Sequence, residues 1–132
     1  MSSPTSRSTE LLRSRGWTVA KVEYWQPYWR DGEDGVSRPT KQGVRRDLWG
    51  CDLIACQPGI GILLVQTTSA SNARARVHKL AEIPEALEWL RSGGRIEVHG
   101  WRKAPIKRGA KAKKWVCNEI PVDEQILEEA RF

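Results

Sequence analysis

Two short apolar runs joined by a Pro-Gly turn constrain this chain more than any other feature. Asp52-Leu53-Ile54-Ala55-Cys56 is turned by Gln57-Pro58-Gly59, and Ile60-Gly61-Ile62-Leu63-Leu64-Val65-Gln66 returns. Both runs are apolar on consecutive positions, which predicts strands covered on both faces, as at the centre of an α/β sheet. The sequence midpoint of Asp52 and Gln66 is Gly59. A regular hairpin centred there sets these two polar residues directly across from each other, with Thr68 two residues further on the same face. Polar groups then gather at one end of two otherwise apolar strands. A bulge in the turn would shift the register by one residue and scatter them.

Around this hairpin the pattern alternates between helix and strand. Ser3 reads as an N-cap with Pro4 at the first helical position, and Gly16 closes the helix that carries Leu11 and Leu12. Trp17–Trp25 alternates as a strand, and Gln26–Gly43 reads as a long loop or a loose hairpin. Ser69 or Ser71 caps a helix with Ala73, Val77, Leu80 and Ala81 on one face. Pro84 opens a further helical stretch to Leu90 that stops at Gly93-Gly94. Arg95–Trp101 alternates like a strand, Trp115–Ile120 reads as its antiparallel partner, and residues 122–132 form an acidic helix or tail. The order helix, three strands, one or two helices, two strands predicts a mixed α/β fold.

The length of 132 residues fits one domain over 1–132, and 39% hydrophobic residues with a mean hydropathy of −0.55 fit a soluble protein. No apolar run approaches the roughly 18 residues that span a bilayer, so no membrane association is expected. Met1-Ser2-Ser3-Pro4-Thr5-Ser6-Arg7 holds no apolar leader segment, and Cys51, Cys56 and Cys117 suit no disulfide framework. The expectation is a cytoplasmic protein whose thiols act as small buried hydrophobes. The absence of Cys-x-x-Cys and His-x-x-x-His spacings speaks against zinc, and His78 and His99 read as structural or surface residues. Of the seven tryptophans, Trp17, Trp89 and Trp101 sit in apolar patterns and read as core, whereas Trp25 and Trp29 lie among prolines and glycines.

Charge is segregated. Lys and Arg number 22 against 16 Asp and Glu, a net charge of +6. Arg102, Lys103, Lys107, Arg108, Lys111, Lys113 and Lys114 fall between two tryptophans with no acid among them, and the segment 102–114 reads as a loop. Arg38, Lys41, Arg45 and Arg46 precede Asp52, and Arg74, Arg76 and Lys79 follow Thr68. Any one such run is ordinary solvated surface. Three runs bracketing one pair of strands point to a polyanion, with nucleic acid the natural partner.

A carboxylate at the end of a buried strand needs compensation, either from a nearby arginine or from a divalent cation. For Asp47, in Arg45-Arg46-Asp47-Leu48, a local salt bridge with those arginines is the simpler reading. Here the chain resembles a known group. Thr9-Glu10-Leu11-Leu12-Arg13-Ser14-Arg15-Gly16-Trp17 resembles the first helix of the PD-(D/E)XK nuclease superfamily, notably the small archaeal-type and phage-type Holliday junction resolvases. Gly50-Cys51-Asp52-Leu53-Ile54-Ala55 is similar to the superfamily's aspartate strand, and Leu63-Leu64-Val65-Gln66-Thr67-Thr68-Ser69 to its E-x-K strand. The likeness covers roughly residues 8–80.

The resemblance implies a restriction-endonuclease-like fold, with a central mixed β-sheet flanked by helices on an α-β-β-β-α-β core. It also implies phosphodiester hydrolysis dependent on Mg²⁺ or Mn²⁺. Carried over, Asp52 is the central metal ligand, Glu10 binds metal directly or through water, and Gln66 ligates in place of the usual Glu. Thr68 stands where the catalytic lysine is expected and cannot supply a cation. Some members draw that lysine from the next helix, which makes Lys79, Arg76 and Arg74 the candidates here. The basic residues named above, Arg45 and Arg46 included, would track DNA phosphates.

The first reading is therefore a metal-dependent DNA endonuclease, with branched DNA the favoured substrate and a homodimer the precedent for a resolvase. The second is a catalytically inactive nucleic-acid-binding protein on the nuclease fold, with Gln66 and Thr68 as marks of a lost site. The third is an RNA or single-strand binder using exposed tryptophans.

Overall fold

The structure, a computed structural model, describes residues 3–131. Met1 and Ser2, where the leader reading begins, and Phe132 at the end of the tail lie outside the described residues. Ser3 caps helix α1 (Pro4–Ser14) by accepting the Ser6 backbone N–H, and Gly16, with φ 91°, turns the chain out of it. Strands β1 (Thr18–Lys21), β4 (Leu53–Gln57), β5 (Gly61–Ser69), β6 (Arg95–Pro105) and β7 (Lys113–Val122) form a five-stranded sheet in the order β1-β4-β5-β6-β7. Only the β5–β6 pair is parallel, so the sheet is mixed. Helices α2 (Ala73–Ala81) and α3 (Pro84–Arg91) make the crossover between β5 and β6, and α4 (Glu124–Arg131) follows β7.

The expected register holds. Leu53 faces Val65, Ile54 faces Leu64, and the pairing runs down to Gln57 opposite Gly61, which centres the hairpin on Gly59. β5 is the middle strand, and its consecutive apolar residues serve two cores. Leu63 and Val65 join Leu53, Ala55, Leu12 and Val19 beneath α1, whereas Leu64 joins Val77, Leu80, Ile96, Val98 and Leu127 beneath α2–α4. The predicted apolar face of α2 (Ala73, Val77, Leu80, Ala81) is the buried one. A 3-10 turn, Ala70–Asn72, precedes that helix, and no side-chain cap from Ser69 is made to it.

Two sequence expectations change. The strand read over Trp17–Trp25 breaks at Val22-Glu23, and the chain leaves the sheet as a two-stranded ribbon of β2 (Tyr24–Asp31) and β3 (Ser37–Arg46). The Gln26–Gly43 stretch is therefore a registered hairpin with a bulge between Pro27 and Trp29. With the ribbon set aside, α1-β1-β4-β5-α2-β6 is the expected α-β-β-β-α-β order. The segment 102–114 is also not a loop throughout. Arg102 and Lys103 extend β6, Lys113 and Lys114 open β7, and only residues 106–112 turn, because Arg102 pairs with Val116 and Lys103 with Trp115 beyond the buried sheet.

The three cysteines are free; Cys51 is buried as expected, but Cys56 is exposed and Cys117 half-buried. Trp101 is buried, and Trp17 and Trp89 pack partly buried against the two cores. Among the described residues no helix is long and apolar enough to cross a membrane.

Candidate functional site

The turn that feeds β4 is strained. Trp49 (φ 50°) and Gly50 (φ 83°) both take left-handed backbone, closed by the Leu48–Cys51 bridge. A Cβ on Gly50 would sit 2.8 Å from Ile83 Cδ1, so the turn also packs too closely for a side chain. The Asp47 carboxylate accepts the Gly50 N–H at 3.1 Å. The chain then delivers Asp52, 8% exposed, immediately before the first residue of β4.

Asp52 Oδ2 accepts two hydrogen bonds from Thr67, from its backbone N–H at 2.9 Å and its hydroxyl at 3.0 Å. The Thr67 hydroxyl hydrogen is thereby engaged with Asp52, so the Thr5 hydroxyl 2.8 Å away must be the donor to Thr67 Oγ1. The first turn of α1 is thus tied to the carboxylate. Burial pushes the Asp52 carboxyl above its ordinary range; the Thr67 bonds oppose this, and the nearby charges of Glu23 and Asp47 add to it. Gln66, 5% exposed, donates its Nε2 to the Thr67 carbonyl at 3.3 Å, which turns Oε1 the other way, buried and without a hydrogen-bond partner.

Asp52, Gln66 and Thr67 line a cleft of about 290 Å³ at the end of the sheet. Its rim adds two acids, Glu23 and Asp47, and three arginines, Arg45, Arg46 and Arg76. Its donors are carboxylate and amide oxygens, a set suited to hard cations such as Mg²⁺ or Mn²⁺.

The predicted site residues divide. Asp52, Gln66, Arg45, Arg46 and Arg76 meet in this cleft. Glu10 does not: it is exposed and lines a neighbouring cleft with Arg13 and Lys21. The first turn of α1 lies over Asp52, and five residues along a helix is a displacement of about 7.5 Å. Thr68 is buried one residue beyond Thr67, on the opposite side of the strand, and does not line the cleft. Lys79 and Arg74 are exposed on α2, and Arg76 is the residue of that helix that reaches the cleft. Arg102, Lys103, Lys107, Arg108, Lys111, Lys113 and Lys114 lie on the β6–β7 arm, away from the lining.

Asp47 is not paired with its arginine neighbours as the sequence suggested. Arg45 lies 3.8 Å from Glu23, and Arg46 Nε donates to Gln26 Oε1 at 2.8 Å, which leaves Asp47 facing the cleft. Glu23 was not legible as a site residue. It lies at the break between β1 and β2, and its place depends on where the ribbon leaves the sheet.

A second polar cluster sits on the α1 side of the sheet. His99 is fully buried, with Nε2 2.9 Å from Glu97 Oε1 and Nδ1 2.9 Å from Ser8 Oγ, which also accepts the Trp101 indole N–H. Glu119 faces His99 across the strands and is held by both guanidinium nitrogens of Arg15, which keeps its carboxyl below the usual range. One ligand atom from each of Glu97, His99 and Glu119 lies within 4.8 Å of the others, and the three could hold a metal ion. The sequence reading of His99 as structural agrees with this buried, hydrogen-bonded ring, but it did not foresee the two acids beside it. The signal for the cluster is Glu97-x-His99 on one strand face beside the predicted partner strand.

Fold and site together define an α/β protein with a mixed five-stranded sheet and an acid- and arginine-lined cleft at one sheet end. A scan against protein-family models finds no match to the chain, and neither do searches of curated proteins and of solved structures.

Proposed function

We propose that the protein is a metal-dependent endodeoxyribonuclease of the PD-(D/E)XK kind, hydrolysing phosphodiester bonds in the Asp52 cleft, with branched DNA as its favoured substrate. The observation that carries this reading is the buried, unpartnered Oε1 of Gln66, a residue that lines the same cleft as the buried Asp52. An amide oxygen and a carboxylate held out of water are costly unless a ligand takes them, and a divalent cation takes both.

Asp52 and Gln66 would hold that cation, with Asp47 or Glu23 as the further acid in place of Glu10. Bound there, Mg²⁺ or Mn²⁺ supplies a Lewis acid that polarises the phosphoryl group and acidifies water. Thr67 fixes the orientation of Asp52 through two donors on one oxygen. Arg45, Arg46 and Arg76 bind phosphate and stabilise developing charge, and as permanent cations they take the electrostatic part of the missing lysine's role but not a proton-transfer part. A homodimer would present two such clefts to opposed strands.

The test is cleavage of labelled linear duplex and four-way-junction DNA with Mn²⁺, with Mg²⁺ and with EDTA, alongside Asp52→Asn. Metal-dependent cutting that Asp52→Asn abolishes supports the enzyme, and the preferred substrate separates a resolvase from a general endonuclease. The second reading, a binding protein on the same fold, is favoured by one observation: no lysine among the described residues lines the cleft. Tight DNA binding without cutting in either metal would establish it and end the first.

A further inference from the structure

The β2–β3 ribbon does not serve the core. No residue of either strand is buried, and four of the large exposed side chains, Tyr24, Trp25, Tyr28 and Trp29, fall within six consecutive positions. Trp29 is 63% exposed and Trp25 52%. A lone two-stranded ribbon is marginal in water, and aromatic rings facing solvent on it are not explained by packing.

Tyr24 and Trp25 stand side by side at the root of the ribbon, and Tyr28 and Trp29 follow at the bulge between Pro27 and Trp29. The two rings at the root meet arginines across the ribbon: Tyr24 pairs with Arg46 and Trp25 with Arg45. The three acids of the hairpin, Asp31, Glu33 and Asp34, are confined to its tip, and Asp34 is bound to Arg38. Between tip and root the two strands carry Arg30, Lys41, Arg45 and Arg46 with no acid; Glu23, just before β2, lies 3.8 Å from Arg45, and Arg45 and Arg46 continue into the Asp52 cleft. Aromatic faces interleaved with cations recognise nucleic acid whose bases are free to stack. In a duplex the bases already stack on each other, so the fitting partner is an unpaired strand.

We propose that this ribbon docks an unpaired DNA strand, its bases stacking on Trp25, Trp29, Tyr24 and Tyr28 while Arg45 and Arg46 lead its backbone toward the cleft. The proposal rests on the nuclease reading only for the fate of the strand once it reaches Asp52.

Binding is measured without catalysis, on Asp52→Asn protein in EDTA, by anisotropy of a labelled oligo(dT) of about 20 nucleotides, longer than one such binding site needs. A blunt duplex of equal length is the comparison. The single strand is expected to bind about tenfold tighter than the duplex, the worth of one stacked base. Trp25→Ala and Trp29→Ala should each weaken it by about fivefold or more, the effect of losing one stacked base. Trp29→Phe, which keeps a ring, should stay within about twofold of the parent. Equal affinity for strand and duplex, or a Trp25→Ala/Trp29→Ala double variant that binds like its parent, overturns the proposal. So does ring loss that converts a dimer to a monomer at unchanged affinity, which would assign the surface to a second copy of the chain. Strand binding that depends on the rings, in a protein that cuts no DNA, would sink the nuclease reading and leave this one standing.

Discussion

Replacing Gln66 by methionine should make the metal-free protein more stable, against the usual direction of a buried substitution. The Gln66 amide has an Oε1 with no partner and one long hydrogen bond, 3.3 Å, from Nε2 to the Thr67 carbonyl. An unsatisfied buried acceptor costs about 1–3 kcal/mol, and a bond of that length returns about 0.5 kcal/mol. Methionine fills similar space with apolar atoms, so Gln66→Met should gain about 1–2 kcal/mol in EDTA. For a domain of this length that raises Tm by about 4–8 °C, read by the intrinsic fluorescence of the tryptophans. Mn²⁺ should reverse the order. At about a hundred times its Kd, a cation that binds only the folded form stabilises by about 2.7 kcal/mol, or about 10 °C, and the variant has lost a ligand for it. A Gln66→Met protein that melts at or below wild type in EDTA, or that gains as much from Mn²⁺, refutes the reasoning, because Oε1 would then be neither orphaned nor a ligand.

The Asp52 carboxyl is raised in the folded state chiefly by burial, so its contribution is full below the unfolded value near 3.9 and is lost as pH rises through the folded one. Urea midpoints should therefore move in favour of metal-free Asp52→Asn between pH 4 and pH 7, and a gap independent of pH counts against a raised carboxyl. Glu119 has the opposite sign: Arg15 lowers it, so its stabilisation is present above about pH 4.3 and is lost as pH falls through the lowered value. Because Arg15 is half exposed, Arg15→Ala should cost no more than about 1 kcal/mol at pH 7 and less at pH 3, again by urea midpoint. A Cβ on Gly94 would lie 2.2 Å from Trp89 Cε2, in a ring anchored by its N–H to the Arg95 carbonyl at 2.8 Å. Gly94→Ala should cost about 1–3 kcal/mol, a fall in Tm of about 4–12 °C, and a melt within a degree of wild type would mean that the ring moves freely.

What the sequence made legible follows from what local pattern encodes. The Gly59-centred register, the capped start of α1 and the buried face of α2 are all set by residues close together in the chain. Asp52 and Gln66 were legible as neighbours for the same reason. Thr67 was overlooked because alternation puts it on the other face from Gln66, yet at the strand end it is Thr67 that reaches the Asp52 carboxylate. Glu10 was misplaced because the position of α1 along its axis is fixed by a contact across 62 residues, Thr5 to Thr67, that no periodicity reveals. Glu23 and the setting of His99 were missed for a similar reason: each depends on partners far along the chain, Arg45 for the one, Ser8 and Glu119 for the other.

The register also turns a charge pattern in sequence into one in space. β5 and β6 are parallel and β4 is antiparallel to β5, so the start of β4, the end of β5 and the far part of β6 lie at one end of the sheet. Asp52 and Gln66 are there, and the β6–β7 arm with its seven basic residues extends from that same end. β1 also ends there, since Lys21 faces Leu53, so the ribbon leaves and rejoins the sheet beside the cleft. The cleft therefore lies at the middle strands, between a basic hairpin rooted at the β1 edge and another at the β7 edge. β7 ends at the opposite pole, where Asp123 and the first residue of α4, Glu124, lie, whereas Glu119, opposite His99 and level with Thr67, lies nearer the cleft end. A net charge of +6 spread evenly would attract a polyanion without orienting it. Under the proposed nucleic-acid function, the two basic hairpins flanking the cleft favour encounters in which phosphates arrive at that end first, an effect on the association rate that should fade as salt is raised.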